Sequence, residues 1–449
     1  KDLFKGLWIY DKWDWEKTYP VIKISFSNID HIKLGLEKAI DNELNNIAEN
    51  YKIKLTKKSN ATKFKELIEK LSETAQVVII IDEYDKPIID YLDDLDKAEE
   101  NREILKNFYS ILKDADSYLR FFFVTGVSKF SRVSIFSDLN NLVDITTDKK
   151  YAQIVGWTRQ EVEKYFPEYL QEVSEVYKDI YPDIMPEIEK WYDGYSWDGT
   201  SRLYNPVSLM SFFDKREFGN YWFATGTPTF LLKLIREKNY TPFDLEKSHI
   251  STKILDKYEI RNMSLLPLLF QTGYLTIKHK DLRTRRITLD YPNFEVEEAF
   301  SVHLLAELTI GKVDKTEMLV FDMVDSFMDN KTEKFIEHVN YLLRDIPYTI
   351  SENNKENYYH SLFYLIMKMI GLNIDAEIMT IDGRIDAAVK TEDNIFILEF
   401  KINQPAQKAI EQIKNKKYAD KYGNDKRPVT MIGINFNTDT KEIDDYLIE

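Results

Sequence analysis

Five consecutive aliphatic residues, Val77-Val78-Ile79-Ile80-Ile81, stop abruptly at Asp82-Glu83. A strand with one solvated face alternates apolar and polar side chains, so a run that is apolar at every position needs cover on both faces. Strands of that kind belong to parallel sheets sandwiched between helices. Three further segments fit the same sheet, Val21 to Phe26, Arg120 to Thr125 and Leu142 to Ile145, and the stretches Phe64 to Ser72 and Arg102 to Lys113 read as helices between them. This alternation predicts a doubly wound α/β domain. Ligands of such sheets bind beyond the carboxyl ends of the strands, which is where Asp82 and Glu83 fall.

A second apolar run, Ile395 to Leu398, ends in Glu399-Phe400-Lys401 and follows Gly383-Arg384-Ile385-Asp386. Side chains alternate along a strand, so Glu399 and Lys401 share one face while Leu398 and Phe400 face the packing. Burying two charges without compensation is costly. A divalent cation held by Asp386 and Glu399 would offset that cost, and Lys401 beside it could orient or deprotonate an attacking water. The alternative is a polar strand terminus with Asp386 as a hairpin residue.

The flanks bear on this choice. Ala406 to Tyr418 reads as a helix with Ala409, Ile410 and Ile413 on its apolar stripe and Gln412 and Lys416 one turn apart. Upstream, Asn357 to Ile370 reads as a helix with Leu362, Phe363, Leu365, Ile366 and Met369 inside and Gly371 as its C-cap. Val429 to Ile434 is a further apolar strand.

Helix, hairpin with Asp, strand with E-x-K, helix with Gln and apolar strand is the order of the PD-(D/E)xK nuclease core, and the last quarter of the chain resembles that superfamily. The motifs Ile80-Ile81-Asp82-Glu83-Tyr84-Asp85, Val124-Thr125-Gly126-Val127-Ser128-Lys129-Phe130 and Trp191-Tyr192-Asp193-Gly194-Tyr195 make the first half resemble a bacterial AAA-ATPase-like family to which such nuclease domains are often fused. The resemblance implies a P-loop NTPase-like doubly wound sheet, a helical lid and wing, and a C-terminal α/β nuclease-like domain, divided at 1–235, 236–335 and 336–449. Carried over position by position, Asp386 and Glu399 would ligate Mg²⁺ or Mn²⁺ and Lys401 would handle the water. Gln412 would support the site from the second helix, and Glu356 would complete the acidic cluster, or else be a solvated acid at a helix N-terminus. In a P-loop NTPase, Asp82 would hold the Mg²⁺ of bound ATP, Glu83 would polarise water and Thr125 would sense the γ-phosphate. Nucleic acid, with DNA foremost, would be the substrate.

Two departures stand out. No G-x-x-x-x-G-K-[ST] occurs, and without its backbone cradle and lysine the β- and γ-phosphates are poorly held. The family places that loop upstream of Lys1, so the expectation is that preceding sequence carried it and that ATP binds in the full-length protein, the alternative being that the protein lacks the loop naturally; in both cases this chain alone should bind nucleotide weakly. The nuclease pattern also puts a tyrosine four residues after the glutamine, where Lys416 stands.

Absence of cysteine excludes disulfides, thiolate zinc sites and cysteine nucleophiles, and the six histidines show no H-E-x-x-H spacing. No apolar run approaches the roughly 20 residues of a membrane span, and a cytoplasmic location is expected. The net charge of -15 opposes generic nucleic-acid binding, although residues 401–427 hold eight Lys and Arg against three Asp and Glu. That run is either a phosphate-facing surface or a solvated helix face. Trp191 to Gly199 is a packed turn or a base-stacking surface. Asn205-Pro206-Val207 starts a helix with Leu209, Met210, Phe212 and Phe213 as core. Tyr274 to His279 and Arg286 to Leu289 form a wing-like hairpin, and Lys312 to Glu317 and Ser351 to Lys355 are the expected hinges. The sequence therefore points to a nucleotide-regulated, metal-dependent nuclease, with an oligomer admissible. The alternative is a non-catalytic NTP-driven switch or interaction protein carrying a relic nuclease fold.

Overall fold

The structure is a computed structural model that describes residues 1–127, 142–223, 264–309, 312–344, 355–373, 375–381 and 384–449, with shorter pieces between 135 and 139 and between 231 and 255. Side chains of residues 243, 252–253, 355–357, 372–373, 375–381 and 384–386 are outside the description. The chain divides into two compact units, Lys1–Ile145 with Ser251–Thr272, and Thr146–Ile250 with Gly273–Glu449.

In the first unit, β1 (Val21–Ser25), α1 (Leu36–Asn50), α2 (Asn60–Ser72), β2 (Val77–Asp82), α3 (Leu95–Tyr109) and β3 (Leu119–Val124) follow in order. The strands form one sheet in the order β1-β2-β3, both pairs parallel. The helices start where the sequence supplies caps: Ser59 accepts the Thr62 N–H and Asp94 the Lys97 N–H. Their apolar stripes meet in the core, with Phe64 of α2 stacked on Phe108 of α3 at 4.7 Å. Along β2, Val77, Ile79 and Ile81 are fully buried, whereas Val78 and Ile80 are only partly covered, so one face is sealed more completely than the other. The strand expected at Leu142 to Ile145 does not form; those residues are irregular and Val143 is 79% exposed. An acid interrupting a four-residue run leaves too little apolar surface to hold a place in the sheet.

The second unit begins with aromatic packing. Tyr192, Ser196 and Asp198 are buried, and the Asp198 carboxylate accepts the N–H groups of Thr200 and Ser201, so Trp191 to Gly199 is a packed turn. In α4 (Pro206–Lys215), capped by Asn205, Leu209, Phe212 and Phe213 are buried as expected, but Met210 is exposed because it falls off the stripe they define. A small sheet of order β4-β6-β5 joins β4 (Ser248–Ser251) to the antiparallel hairpin β5 (Thr276–Asp281) and β6 (Arg286–Asp290).

Four helices follow: α5 (Phe294–Leu308), α6 (Val313–Met328), α7 (Thr332–Arg344) and α8 (Lys355–Asn373). The hinge expected at Lys312 to Glu317 is instead the start of α6, where Thr316 is fully buried and donates its hydroxyl to the Lys312 carbonyl. Of the other expected hinge, residues 351–354 lie outside the described residues. Gly371 is not a C-cap, because α8 continues through it to Asn373. The buried Met369 and Ile370 beside it supply packing that outweighs the ~1 kcal/mol a helical glycine costs. Lys368 of α8 is 7% exposed and bridges Glu246 at 2.5 Å and Glu297 of α5 at 2.9 Å, with its ammonium 4.4 Å from the Tyr291 ring.

The chain closes with β7 (Asp375–Ile381), β8 (Arg384–Lys390), β9 (Ile395–Ile402), α9 (Ala406–Asn415), β10 (Val429–Asn437) and β11 (Glu442–Ile448). Their sheet runs β11-β10-β9-β8-β7, antiparallel except for the β9–β10 pair. That parallel pair requires a crossover, and α9 provides it. The helix ends before Tyr418 because Lys417 adopts a left-handed φ of 53°, after which Tyr418–Tyr422 is a 3₁₀ turn.

Candidate active site

Every residue from Ile395 to Phe400 is buried, including Glu399 at 0% exposure. Alternation along β9 divides them between two faces. On one face, Phe400 stacks on Phe363 of α8 at 4.3 Å. On the other lie Glu399 and Lys401, under α9. The ammonium of Lys401 donates to Glu399 Oε1 at 2.6 Å and to Gln412 Oε1 of α9 at 2.7 Å. Three of the residues singled out in the sequence therefore meet in one cluster.

Glu399 Oε2 has no hydrogen-bond partner among the described residues, although it is fully buried. A buried carboxylate oxygen without a partner carries a desolvation cost that a bound ligand would relieve. Directly across the antiparallel ladder from Glu399 stands Asp386, and directly opposed residues occupy the same face of a sheet. Glu356 falls in the first turn of α8, and its side chain, like that of Asp386, is outside the described residues. Gly383, which opens the Asp386 motif, is outside them as well. Among the described residues, no group of three or more His, Asp or Glu is placed to hold a metal ion. A buried, half-satisfied glutamate opposite an aspartate fits a hard divalent cation in the nature of its oxygen donors.

The glycine that seats α9 was not visible as a site feature in the sequence. Gly433 of β10 is the parallel partner of Glu399. A Cβ built there would lie 2.6 Å from the Ala406 carbonyl oxygen and 2.8 Å from Ile410 Cγ1. A lone glycine inside an apolar strand marks such a close approach. Here it lets the crossover helix settle low enough for Gln412 to reach Lys401.

The basic run 401–427 is neutralised only in part. Lys401 pairs with Glu399, Lys414 with Glu449 and Arg427 with Asp425. Lys416 and Lys421 lie over the rings of Tyr418 and Tyr422. Arg427 holds the Asp425 carboxyl far below its ordinary range.

In the first unit, Asp82 ends β2, the central strand, and Glu83 follows it with a left-handed φ of 51°. Thr125 Oγ1 donates to Asp82 Oδ1 at 2.6 Å, and the Tyr84 N–H donates to the Thr125 carbonyl. All three residues expected at a nucleotide therefore stand at the carboxyl edge of the parallel sheet. Sequence reasoning missed Asp85, which is fully buried and accepts the Val127 N–H at 3.2 Å. A Cβ on Gly126 would collide with the Tyr84 ring and with Asp85 Oδ1, so the glycine permits this contact. Ser128-Lys129-Phe130 of the same motif lies outside the described residues.

Two family models match the chain: "Predicted AAA-ATPase" over residues 1–136 and "PD-(D/E)XK nuclease superfamily" over residues 354–446. A protein of Azotobacter chroococcum mcd 1, described as "Uncharacterized protein in vnfD 5'region", is 36% identical over 459 residues, spanning 100% of this chain and 86% of its own length. No solved structure matches. No helix among the described residues is long and apolar enough to cross a membrane.

Proposed function

The chain belongs to the family that joins a predicted AAA-ATPase domain to a C-terminal domain of the PD-(D/E)XK nuclease superfamily, and from that premise we propose that it is a nucleotide-regulated, divalent-metal-dependent nuclease acting on DNA. The observation that carries the reading is the unpartnered, fully buried Glu399 Oε2 beside an ammonium held by two acceptors and across the ladder from Asp386.

Asp386 and Glu399 would hold Mg²⁺ or Mn²⁺, which supplies charge neutralisation at the scissile phosphate and acidifies bound water. The remaining work falls to the chain's own groups. The Lys401 ammonium donates to Glu399 Oε1 and Gln412 Oε1. These two acceptors fix its direction, and its charge would orient a water or a phosphate oxygen beside the cation. Gln412 thus acts as a positioning residue through Lys401, and α8 and α9 exclude bulk water from either face of β9. In the first unit, Asp82, Glu83 and Thr125 line the edge at which a nucleotide and its Mg²⁺ would bind, and occupancy there would regulate cleavage.

The net charge of -15 favours the second reading, a non-catalytic NTP-driven switch. Incubation of the protein with duplex and single-stranded DNA in Mg²⁺ or Mn²⁺ separates the two. The nuclease reading expects cleavage that EDTA, Lys401→Ala and Glu399→Gln each abolish. Absence of cleavage with either metal, with and without ATP, leaves the switch.

A further inference from the structure

We infer that the tip of the β5–β6 hairpin is a docking element for the backbone and minor groove of duplex DNA. The partner's identity rests on the nuclease reading; the surface itself is read from the hairpin.

The body of the hairpin is anchored. Ile277 and Ile287 are 1% exposed, Leu289 is 0% exposed, and Lys278 donates to the Pro292 carbonyl at 2.9 Å. Beyond this base the five residues 282–286 are exposed. They include Arg283, Arg285 and Arg286, and none of these guanidinium groups has a hydrogen-bond or ion-pair partner among the described residues. Elsewhere Arg102, Arg159, Arg216 and Arg427 each hold a carboxylate. Three unpaired arginines within four residues, in a chain of net charge -15, form a local inversion of the field.

The one acid at the tip does not neutralise them. Asp281 Oδ1 accepts the N–H groups of Arg283 and Thr284, and Oδ2 accepts the Thr284 hydroxyl at 2.8 Å, so its oxygens shape the turn. Arg285 occupies a left-handed φ of 58°, a position at which glycine or asparagine is less strained. The turn therefore keeps a cation where backbone geometry favours another residue. Leu282, 81% exposed, precedes the arginines at the same tip. Exposed guanidiniums and one exposed apolar residue on a single tip match the minor groove, where arginine meets phosphate and concentrated negative potential and an aliphatic side chain meets sugars and base edges.

The test measures fluorescence anisotropy of a labelled duplex DNA with the full chain in EDTA, where cleavage is off, across a salt series. The triple variant Arg283→Gln, Arg285→Gln, Arg286→Gln should bind at least tenfold more weakly. Its plot of log Kobs against log salt should be shallower by about 2.7, three phosphates at about 0.9 each. Leu282→Ser should weaken binding and leave that slope unchanged. Equal affinity and slope for wild type and triple variant overturn the proposal, while metal-dependent cleavage by wild type would keep the nuclease reading intact. Tip-dependent binding without any cleavage has the opposite meaning, sparing the docking surface and sinking the nuclease reading. Wild-type binding to phosphatidylserine vesicles with none to duplex DNA overturns the proposal in favour of an anionic membrane, and binding to neither overturns it outright.

Discussion

Gly433 and Glu399 are direct partners in the parallel ladder, and the missing side chain of the first admits the helix that covers the second. The candidate site thus depends on a residue with no chemistry of its own. Gly433→Ala should push α9 outward, costing about 1–3 kcal/mol as overpacking does. It should also lower cleavage by loosening the Gln412–Lys401 bond. Thermal unfolding and initial cleavage rates check both, and a variant of full stability and full rate would show that α9 is not seated by this glycine.

The pair Lys401–Glu399 should respond asymmetrically to substitution. Lys401→Met leaves a fully buried carboxylate unpaired, and removing one partner of a buried pair costs about 3–5 kcal/mol. Glu399→Gln keeps shape and an acceptor for the lysine, so its cost should be smaller. Adding Glu399→Gln to Lys401→Met should recover part of the lost stability without recovering cleavage. Denaturant melts of the two single variants and the double variant give the comparison; additive losses would contradict it.

Metal should stabilise the wild-type protein. A ligand at about a hundred times its Kd adds about 2.7 kcal/mol to unfolding. A rise in the wild-type midpoint with Mg²⁺ or Mn²⁺, absent in Glu399→Gln and reversed by EDTA, is the expected result. Identical shifts in both proteins would place the metal elsewhere.

Stability should also depend on pH through Glu295, in the first turn of α5. This carboxyl is fully buried, and desolvation pushes its pKa from 4.5 up to about 7 although it accepts the Trp222 N–H at 2.7 Å. Between those two values the folded state holds a proton that the unfolded chain has released, so the contribution is complete below about pH 4.5 and is lost as pH rises through about 7. The shift corresponds to about 3 kcal/mol as an order of magnitude. Glu295→Gln should remove that pH dependence. Melts from pH 5 to 8 test it, and parallel curves for the two proteins would refute the assignment.

The parts of the fold that local chemistry encodes were legible in the chain. The apolar runs ending at Asp82 and Glu399 identified the central strands of two sheets, and the E-x-K spacing placed Glu399 and Lys401 on one face. Helical periodicity placed Gln412 on a helix, and its place in the site was implied by the resemblance to the nuclease core. Other features arise from backbone states that no residue type announces. Lys417, Glu83 and Arg285 take left-handed conformations without being glycine, so the early end of α9 and the turn after β2 could not be read from composition. Gly371 shows the converse, a glycine that packing retains inside a helix. Gly433 takes its role from its register partner, which the sequence does not specify. Asp85 owes its burial to a contact with the Val127 N–H across the turn, a tertiary feature that local sequence does not encode.

The strand that carries Glu399 and Lys401 has two strands on each side of it. Sheets fray from their margins, and amides at the middle exchange with solvent only in the rarest, most extensive openings. The candidate catalytic groups would therefore be fastened to the slowest-breathing part of their sheet. Control of such a site has little to act on within it. Regulation would have to govern arrival and departure at the surface above, leaving the chemistry permanently assembled and waiting.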